Sequence, residues 1–169
     1  MSNMNMALIA AIVTLAGCAT AYQQKGFSGG FDETQLDTNV WRVSFRGNGY
    51  TKGERAEDFA LLRSAELTLA NGFTHFAFAE SRTGSEVSTY TAPTTSYTTG
   101  SANIVGNNVY GNATTSTRGG GTTFIHRPSA VNTVVMFKGK PDSSNMMYDA
   151  NFVCTSVGKK YEVVCNSPK

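Results

Sequence analysis

The two histidines of this chain are the side chains best suited to acid–base or metal chemistry near neutral pH. His75 and His126 each lie in a strand-like stretch, and neither has an Asp, Glu or Cys at metal-ligand spacing. Glu80 follows His75 by five residues and would face the opposite side of an ideal strand. This spacing favours structural or solvent-facing histidines. We therefore predict neither a catalytic residue nor a metal site, and expect no enzyme.

Three glycines between a predicted strand and a predicted helix raise the question of nucleotide binding. In Gly47-x-Gly49-x-x-x-Gly53 the third glycine comes one position late for a dinucleotide fingerprint. The acid expected about 20 residues further on falls inside the helix, as Glu66. A tight turn explains the glycines better, so we predict no nucleotide and no cofactor. A formal charge of +2 gives no reason to expect nucleic acid.

A cysteine near the start of the chain follows two small residues and the apolar run Met6–Leu15. That run is too short to span a membrane, which needs roughly 20 residues, and it suits the apolar region of a signal peptide. Leu15-Ala16-Gly17-Cys18 resembles the lipobox of bacterial lipoproteins. The resemblance implies that a signal peptide, residues 1–17, is removed and that Cys18 receives acyl chains such as palmitate. An ordinary secretory signal, with Cys18 incidental, is the alternative.

The residue after the cysteine bears on the destination of the protein. Ala19 stands where an aspartate is the familiar inner-membrane retention signal of enteric lipoproteins. The resemblance therefore implies the outer membrane, with the protein facing the periplasm. Each buried methylene contributes about 0.8 kcal/mol, so two or three acyl chains would make outer-membrane lipid a stable partner.

The other two cysteines, Cys154 and Cys165, form an even pair in what would then be an oxidising compartment. We predict a disulfide bond between them, worth on the order of 3 kcal/mol in the chain-entropy model. Two free thiols are the alternative. No histidine lies near either cysteine, which disfavours a metal site.

Residues 18–38, which would follow the cleavage site, have no periodic pattern and carry glycines among polar residues. That composition is typical of a tether. Tyr22, Phe27 and Phe31 are unusual in a spacer, so only its first part is expected to be free. The tether would lead into a single domain, residues 39–169.

The domain opens with a strand, a helix and a second strand. Alternation predicts a strand over 40–46, with Trp41 in the core, and an apolar run predicts a second, central strand over 73–79. Thr51-x-x-Glu54 predicts a capping box for the helix between them, which would end near Ala70.

Arg63 and Glu66 lie inside the apolar arc of that helix. At i,i+3 spacing they predict an ion pair at the edge of the buried face. A functional charge pair in a groove is the alternative.

The composition changes in residues 83–123, where Ser, Thr and Gly dominate and Glu86 and Arg118 are the only charges. We predict a long insertion, either an extended hairpin or a mobile loop. Its three tyrosines could form an uncharged contact surface, because tyrosine supplies contact area at modest entropic cost. A solvated loop is the alternative. These residues are Tyr90, Tyr97 and Tyr110.

The last part of the chain completes the predicted fold. Stretches at 122–126 and 131–137 predict strands, and residues 149–165 favour a short helix begun by Asp149 over a hairpin. The fold class predicted is α+β, a mostly antiparallel sheet with one long helix, a short C-terminal helix and the Ser/Thr/Gly-rich insertion.

Three features together resemble a group of small, uncharacterised proteobacterial outer-membrane lipoproteins. They are the lipobox, the stretch Trp41–Thr51, and the helix pattern from Ala56 to Phe73. The resemblance implies a location and a domain but no assigned activity. We predict a non-catalytic, membrane-anchored envelope lipoprotein that acts by contact with another envelope protein. The alternative is a periplasmic small-ligand or glycan-binding module, or a hydrolase, with a cleft between helix and sheet.

Overall fold

The structure, a computed structural model, describes residues 18–141 and 146–165, so the signal peptide predicted for residues 1–17 lies outside the described residues. Within these ranges the chain is α+β with a mostly antiparallel sheet, which confirms the predicted fold class. The elements in order are β1 (Gly30–Asp37), β2 (Val40–Arg46), α1 (Gly53–Ala70), β3 (His75–Thr91), β4 (Thr95–Val105), β5 (Asn108–Arg118), β6 (Thr122–Phe137), β7 (Tyr148–Asp149) and α2 (Ala150–Tyr161).

The chain divides into two compact units. The core unit takes the described residues up to Glu86 and those from His126 onward, and the hairpin unit is Val87–Ile125. Strands β3 and β6 contribute residues to both units. Residues 83–123 therefore run through the end of β3, the β4–β5 hairpin and the start of β6.

A five-stranded sheet of order β1-β2-β6-β3-β7 forms the base of the core unit. β6 is its middle strand, whereas β3, predicted to be central, lies between β6 and the two-residue β7. Alternate side chains of β2 and β6 are fully buried, as period-2 patterning requires. They include Val43, Phe45, Val134 and Met136, while Trp41 is only partly buried.

Both helices pack on the face of the sheet that carries these buried side chains. Phe59 of α1 is fully buried, and its ring lies 5.1 Å from that of Phe45 on β2 and 4.9 Å from that of Tyr161 on α2. One aromatic side chain thus joins the sheet to both helices.

The two ends of α1 match the sequence signals differently. The predicted capping box is wrong, because the N-cap residue is Lys52 and has no side-chain cap. The hydroxyl of Thr51 instead donates to Asn48 Oδ1 at 3.0 Å, and Glu54 pairs with Lys160. The predicted end at Ala70 is confirmed, with Gly72 in the left-handed region at φ +74°.

Residues 150–161 form the helix predicted by the Asp149 signal. The Asp149 side chain accepts a hydrogen bond from the backbone N–H of Phe152 at 2.9 Å. The sulfur atoms of Cys154 and Cys165 lie at disulfide-bonding distance, with 5.6 Å between their Cα atoms. The segment after the helix is therefore held against it.

The prediction of a tether over residues 18–38 is wrong for most of its length. Residues 30–37 form β1, which pairs antiparallel with β2 from Gly30 opposite Arg46 onward. Thr20, closer still to the N-terminus, is only 2% exposed. The first described residues therefore belong to the core unit.

Candidate functional site

Cys18 is exposed and lies where the chain enters the core unit. Its carbonyl accepts a hydrogen bond from Asn48 Nδ2 at 2.9 Å. Beyond it, the backbone N–H of Thr20 donates to Thr51 Oγ1 at 3.0 Å, and the N–H of Asn48 donates to Thr20 Oγ1 at 2.8 Å. We call Thr20, Asn48 and Thr51 the clasp. It ties residues 18–20 to the turn between β2 and α1.

The glycine at the start of that turn has a steric role. A Cβ on Gly47 would stand 2.6 Å from the Cβ of Thr51, closer than side chains tolerate. Asn48 then closes the turn, because its Oδ1 accepts from the backbone N–H of Tyr50 at 3.0 Å. The absence of a side chain on Gly47 therefore makes room for Thr51 of the clasp.

A depression of about 340 Å³ adjoins the residue after Cys18. Three cationic side chains and one carboxylate line it. Lys160 is neutralised by contacts with Glu54 and Asp58, and its hydrogen bond to Asp58 is the main cause of its raised pKa. The lining residues are Ala19, Tyr50, Lys52, Glu54, Arg55, Lys160 and Tyr161.

The three tyrosines predicted as a contact surface are all exposed, Tyr90 by 56%, Tyr97 by 69% and Tyr110 by 63%. In the β4–β5 register Tyr97 faces Ser116 and Tyr110 faces Asn103, which puts the two tyrosines on one face of the hairpin. They are about 20 Å apart along β4 at roughly 3.4 Å per residue. Tyr90 lies on β3 and does not belong to this pair of strands.

The opposite face of the hairpin is smooth and uncharged, a feature that sequence reasoning missed. Cross-strand pairs along it are Ile104 with Val109, Ala102 with Gly111 and Gly100 with Ala113, followed by the Thr98–Thr115 and Ser96–Thr117 pairs, whose hydroxyls are 2.9 Å apart. The sequence pattern that could have predicted this face is the alternation of small residues in both strands. The two strands form a sheet of their own, so their outer edges have no partner strand among the described residues.

The two histidines lie in different surroundings. His75 Nδ1 is 2.8 Å from Thr74 Oγ1, and His75 Nε2 is 3.9 Å from Asp149 Oδ2 across the β3–β7 pair. His126 lines a depression with Thr83 and Ser85. Within residues 18–141 and 146–165, no group of three His, Cys, Asp or Glu side chains is arranged to hold a metal ion.

Arg63 and Glu66 form the predicted ion pair, at 2.9 Å, but it is part of a larger and more deeply buried network. Arg63 also reaches Glu33 of β1 at 2.8 Å, and Tyr22 donates to Glu66 at 2.6 Å. The side chain of Glu66 is only 2% exposed. The network joins the first described residues to α1 and β1.

Two pKa shifts follow from this environment. Burial is the largest cause of the raised pKa of Tyr22, and its hydrogen bond to Glu66 adds to it. Burial disfavours the charged form of Arg63, yet its hydrogen bonds to Glu33 and Glu66 hold its pKa above the ordinary value. No histidine joins the network, and none of the depressions described here is lined by Arg63 or Glu66.

A groove runs between α1 and the sheet of the core unit. It consists of two depressions of about 450 and 420 Å³ that share Glu57 and Thr83. The larger is lined by Phe78 and Tyr148 and by the carboxylates of Glu57, Asp58 and Glu80, with no Lys or Arg. Asn132 lies at its base, 4% exposed, and accepts from Ser81 Oγ at 2.8 Å.

Comparison of the chain with protein-family models, curated proteins and solved structures finds no match. Over the described residues, no helix has both the length and the apolar character needed to cross a bilayer.

Proposed function

We propose that this protein is a lipid-anchored lipoprotein of the cell envelope that works without catalysis, by contact between its hairpin unit and another envelope protein. Acyl chains on Cys18 would hold it in the outer membrane, facing the periplasm. The proposal includes kinship with the small proteobacterial lipoproteins that its lipobox and strand–helix pattern resemble.

The exposure of the hairpin unit carries the contact part of this proposal. Every residue of β4 and β5 is exposed, and Arg118 is the one charge in Val87–Ile125. Two strands alone are marginally stable in water, and unpaired edges without charges favour addition of another strand. A partner that supplies such a strand would gain backbone hydrogen bonds along the edge, as in β-augmentation.

The cysteine usage supports the anchor. Cys154 and Cys165 are paired, which leaves Cys18 as the one available thiol, exposed at the surface of the core unit. A disulfide of this kind suits an oxidising compartment such as the periplasm.

The contact proposal is tested by crosslinking in whole cells with a variant lacking residues 95–118. The excision suits the geometry, since the Cα of Thr94 lies 3.2 Å from the point where a Cβ on Gly119 would stand, so a Gly-Gly linker can join them. We expect a reproducible protein partner with the complete chain and none with the variant.

A pair of point variants provides the matched control. Thr98→Lys on β4 should abolish the crosslink because a charge at the edge blocks strand addition. Thr34→Lys, at an exposed position of β1, should leave the crosslink unchanged. Recovery of the same partner without residues 95–118, or of no partner with the complete chain, would contradict the proposal.

The anchor is tested separately by Cys18→Ser. We expect this variant to remain an unprocessed precursor that incorporates no labelled palmitate, while Cys154→Ser incorporates it normally. Normal cleavage and membrane retention of the Cys18→Ser protein would refute lipidation at this residue.

The groove favours a second candidate function, binding of a small ligand or glycan fragment. Its aromatic walls, three carboxylates and buried amide suit a ligand with a flat apolar part and a basic or hydroxyl-rich part. Titration with peptidoglycan fragments, followed by NMR, should show binding that Glu57→Gln weakens and Glu86→Gln, outside the groove, does not. Absence of binding at millimolar concentrations of the fragments would contradict a ligand-binding function for the groove.

A further inference from the structure

The surface around Cys18 contains unpaired positive charge. Among the residues that the structure describes, neither Lys52 nor Arg55 has an acidic partner. The Nε of Arg55 is buried without a hydrogen-bond partner. Its guanidinium stacks on two rings instead, 5.0 Å from the centroid of Phe59 and 5.2 Å from that of Tyr161. These rings fix the guanidinium in place without neutralising it.

This charge lies next to the point of attachment along the chain. Ala19, bonded directly to Cys18, lines the same depression as Lys52 and Arg55. The clasp fixes the backbone on both sides of Ala19, through Asn48 to Cys18 and through Thr51 to Thr20. Consecutive Cα atoms are 3.8 Å apart, so acyl chains on Cys18 would enter the bilayer close to this depression.

We propose that the depression binds the phosphate of a phospholipid headgroup in the leaflet that holds the Cys18 acyl chains. This inference rests on the proposed lipidation of Cys18. Arginine forms charge-assisted, bidentate hydrogen bonds with phosphate, and a nearby lysine adds attraction to an anionic surface. The core unit then lies with this side against the membrane.

Tyr50 completes the chemistry of such a surface. It lines the depression and is 75% exposed, and its only described hydrogen bond is made by its backbone N–H. An amphipathic ring of this kind is favoured at the level of lipid headgroups, where one end is apolar and the other hydrated. A free phosphate ion would use Arg55 and Lys52 but would gain nothing from this ring.

The test uses the full mature, lipidated protein reconstituted into vesicles. With Cys18 acylated and Cys154 and Cys165 in a disulfide, Gly53→Cys supplies a single thiol for a fluorophore and leaves Tyr50 intact, because a Cβ at this exposed residue beside Lys52 meets no atom within 4 Å. Phospholipid that carries a nitroxide on its headgroup serves as the quencher. We expect strong quenching in vesicles that contain phosphatidylglycerol, and about two-fold less in phosphatidylcholine alone or at high salt.

Charge variants assign the effect to the depression. Lys52→Gln with Arg55→Gln should lower the quenching by about two-fold, whereas Lys138→Gln with Lys140→Gln, which removes equal charge from other exposed positions, should not. Arg55→Lys with Lys52 intact keeps the charge but loses the bidentate hydrogen bonds, so its quenching should fall between that of the unchanged protein and that of the double Gln variant. Because it also removes the planar guanidinium, it separates loss of charge from loss of packing on Phe59.

The outcomes separate this inference from the proposed function. Protein that fails to float with the vesicles would overturn lipidation, and the headgroup site with it. Protein that floats but shows equal quenching in both lipids, or an equal loss in both double variants, would overturn the headgroup site while the anchor stands. Chemical modification of the Arg55 guanidinium gives a further comparison. If inorganic phosphate protects Arg55 from modification as well as vesicles do, the headgroup site is overturned in favour of a site for free phosphate.

Discussion

The strands of the core unit and those of the hairpin unit both carry large apolar side chains, but these side chains differ completely in burial. Val43 and Phe76 of the core unit are 0% exposed, whereas Val109 and Phe124 of the hairpin unit are exposed by 68% and 64%. The difference lies in what covers the sheet. In the core unit two helices pack on one face, and among the described residues nothing packs on either face of β4 and β5.

This contrast implies that the residues that stabilise the fold and the residues proposed to contact a partner lie in different units of the chain. Burial of apolar surface is the main source of stability, at about 25 cal/mol per Å². The core unit therefore carries most of the folding free energy, and substitutions in the hairpin unit should alter binding rather than folding. The following changes test that division, in order of decreasing expected effect.

The largest effect is expected from Phe59→Ala. Removing a fully buried ring that contacts Phe45, Tyr22 and Tyr161 leaves a cavity and should lower the free energy of unfolding by about 4 kcal/mol. The matched change in the hairpin unit, Tyr97→Ala, should stay within about 0.5 kcal/mol. Urea denaturation measures both. Equal losses would mean that the two units share one core.

Loss of the disulfide comes next. Cys154→Ser with Cys165→Ser opens a link across a sequence separation of 11 and should lower the free energy of unfolding by about 3 kcal/mol. Thermal unfolding with and without reductant gives the same comparison on the unchanged chain. Because neither cysteine lies in Val87–Ile125, the crosslink proposed for the hairpin unit should persist in protein that remains folded. A crosslink lost from folded protein would show that the two units are coupled.

A smaller effect is expected from removing one charge in each unit. Arg63→Ala deletes hydrogen bonds to Glu33 and to the buried Glu66 and should lower the free energy of unfolding by about 2 kcal/mol. Arg118→Ala, in the hairpin unit, should change it by less than about 0.5 kcal/mol. A larger decrease in the free energy of unfolding for Arg118→Ala than for Arg63→Ala would contradict the assignment of stability to the core unit.

The smallest effect concerns alkaline pH. The pKa of Tyr22 is raised by burial and by its bond to Glu66, so the native state keeps its proton where the unfolded chain, with a pKa of about 10, loses it. Stability should therefore be independent of this group below pH ~10 and should fall above it. Tyr22→Phe should flatten that fall, and Tyr97→Phe should not. An unchanged slope in Tyr22→Phe would contradict the assignment.

Local signals predicted the parts of the fold that depend on neighbours in sequence. Asn71-Gly72 predicted the end of α1, and Asp149 predicted the start of α2, because each acts within one helical turn. Alternation in 40–46 predicted β2 because a period-2 pattern of apolar side chains is also a local signal.

The features that the sequence did not predict depend on partners distant in sequence. β1 lacks an alternating pattern, since Glu33 takes an inward position only by pairing with Arg63, 30 residues away. The capping box failed because the Thr51 hydroxyl is used by Asn48 and by the N–H of Thr20, 31 residues away. His75 meets Asp149 only through the β3–β7 register. A single amino-acid sequence does not show which distant residues will pair in this way.

The clasp has a consequence for how the protein meets its partners. A long flexible linker lets a domain search a volume, and its effective concentration falls as that volume grows. Here Cys18 is bonded through Asn48 to the core unit, with no linker between them. Acylated at that residue, the protein would search the plane of the membrane in a nearly constant orientation. Partners diffusing in that plane would then meet the same surface at each encounter.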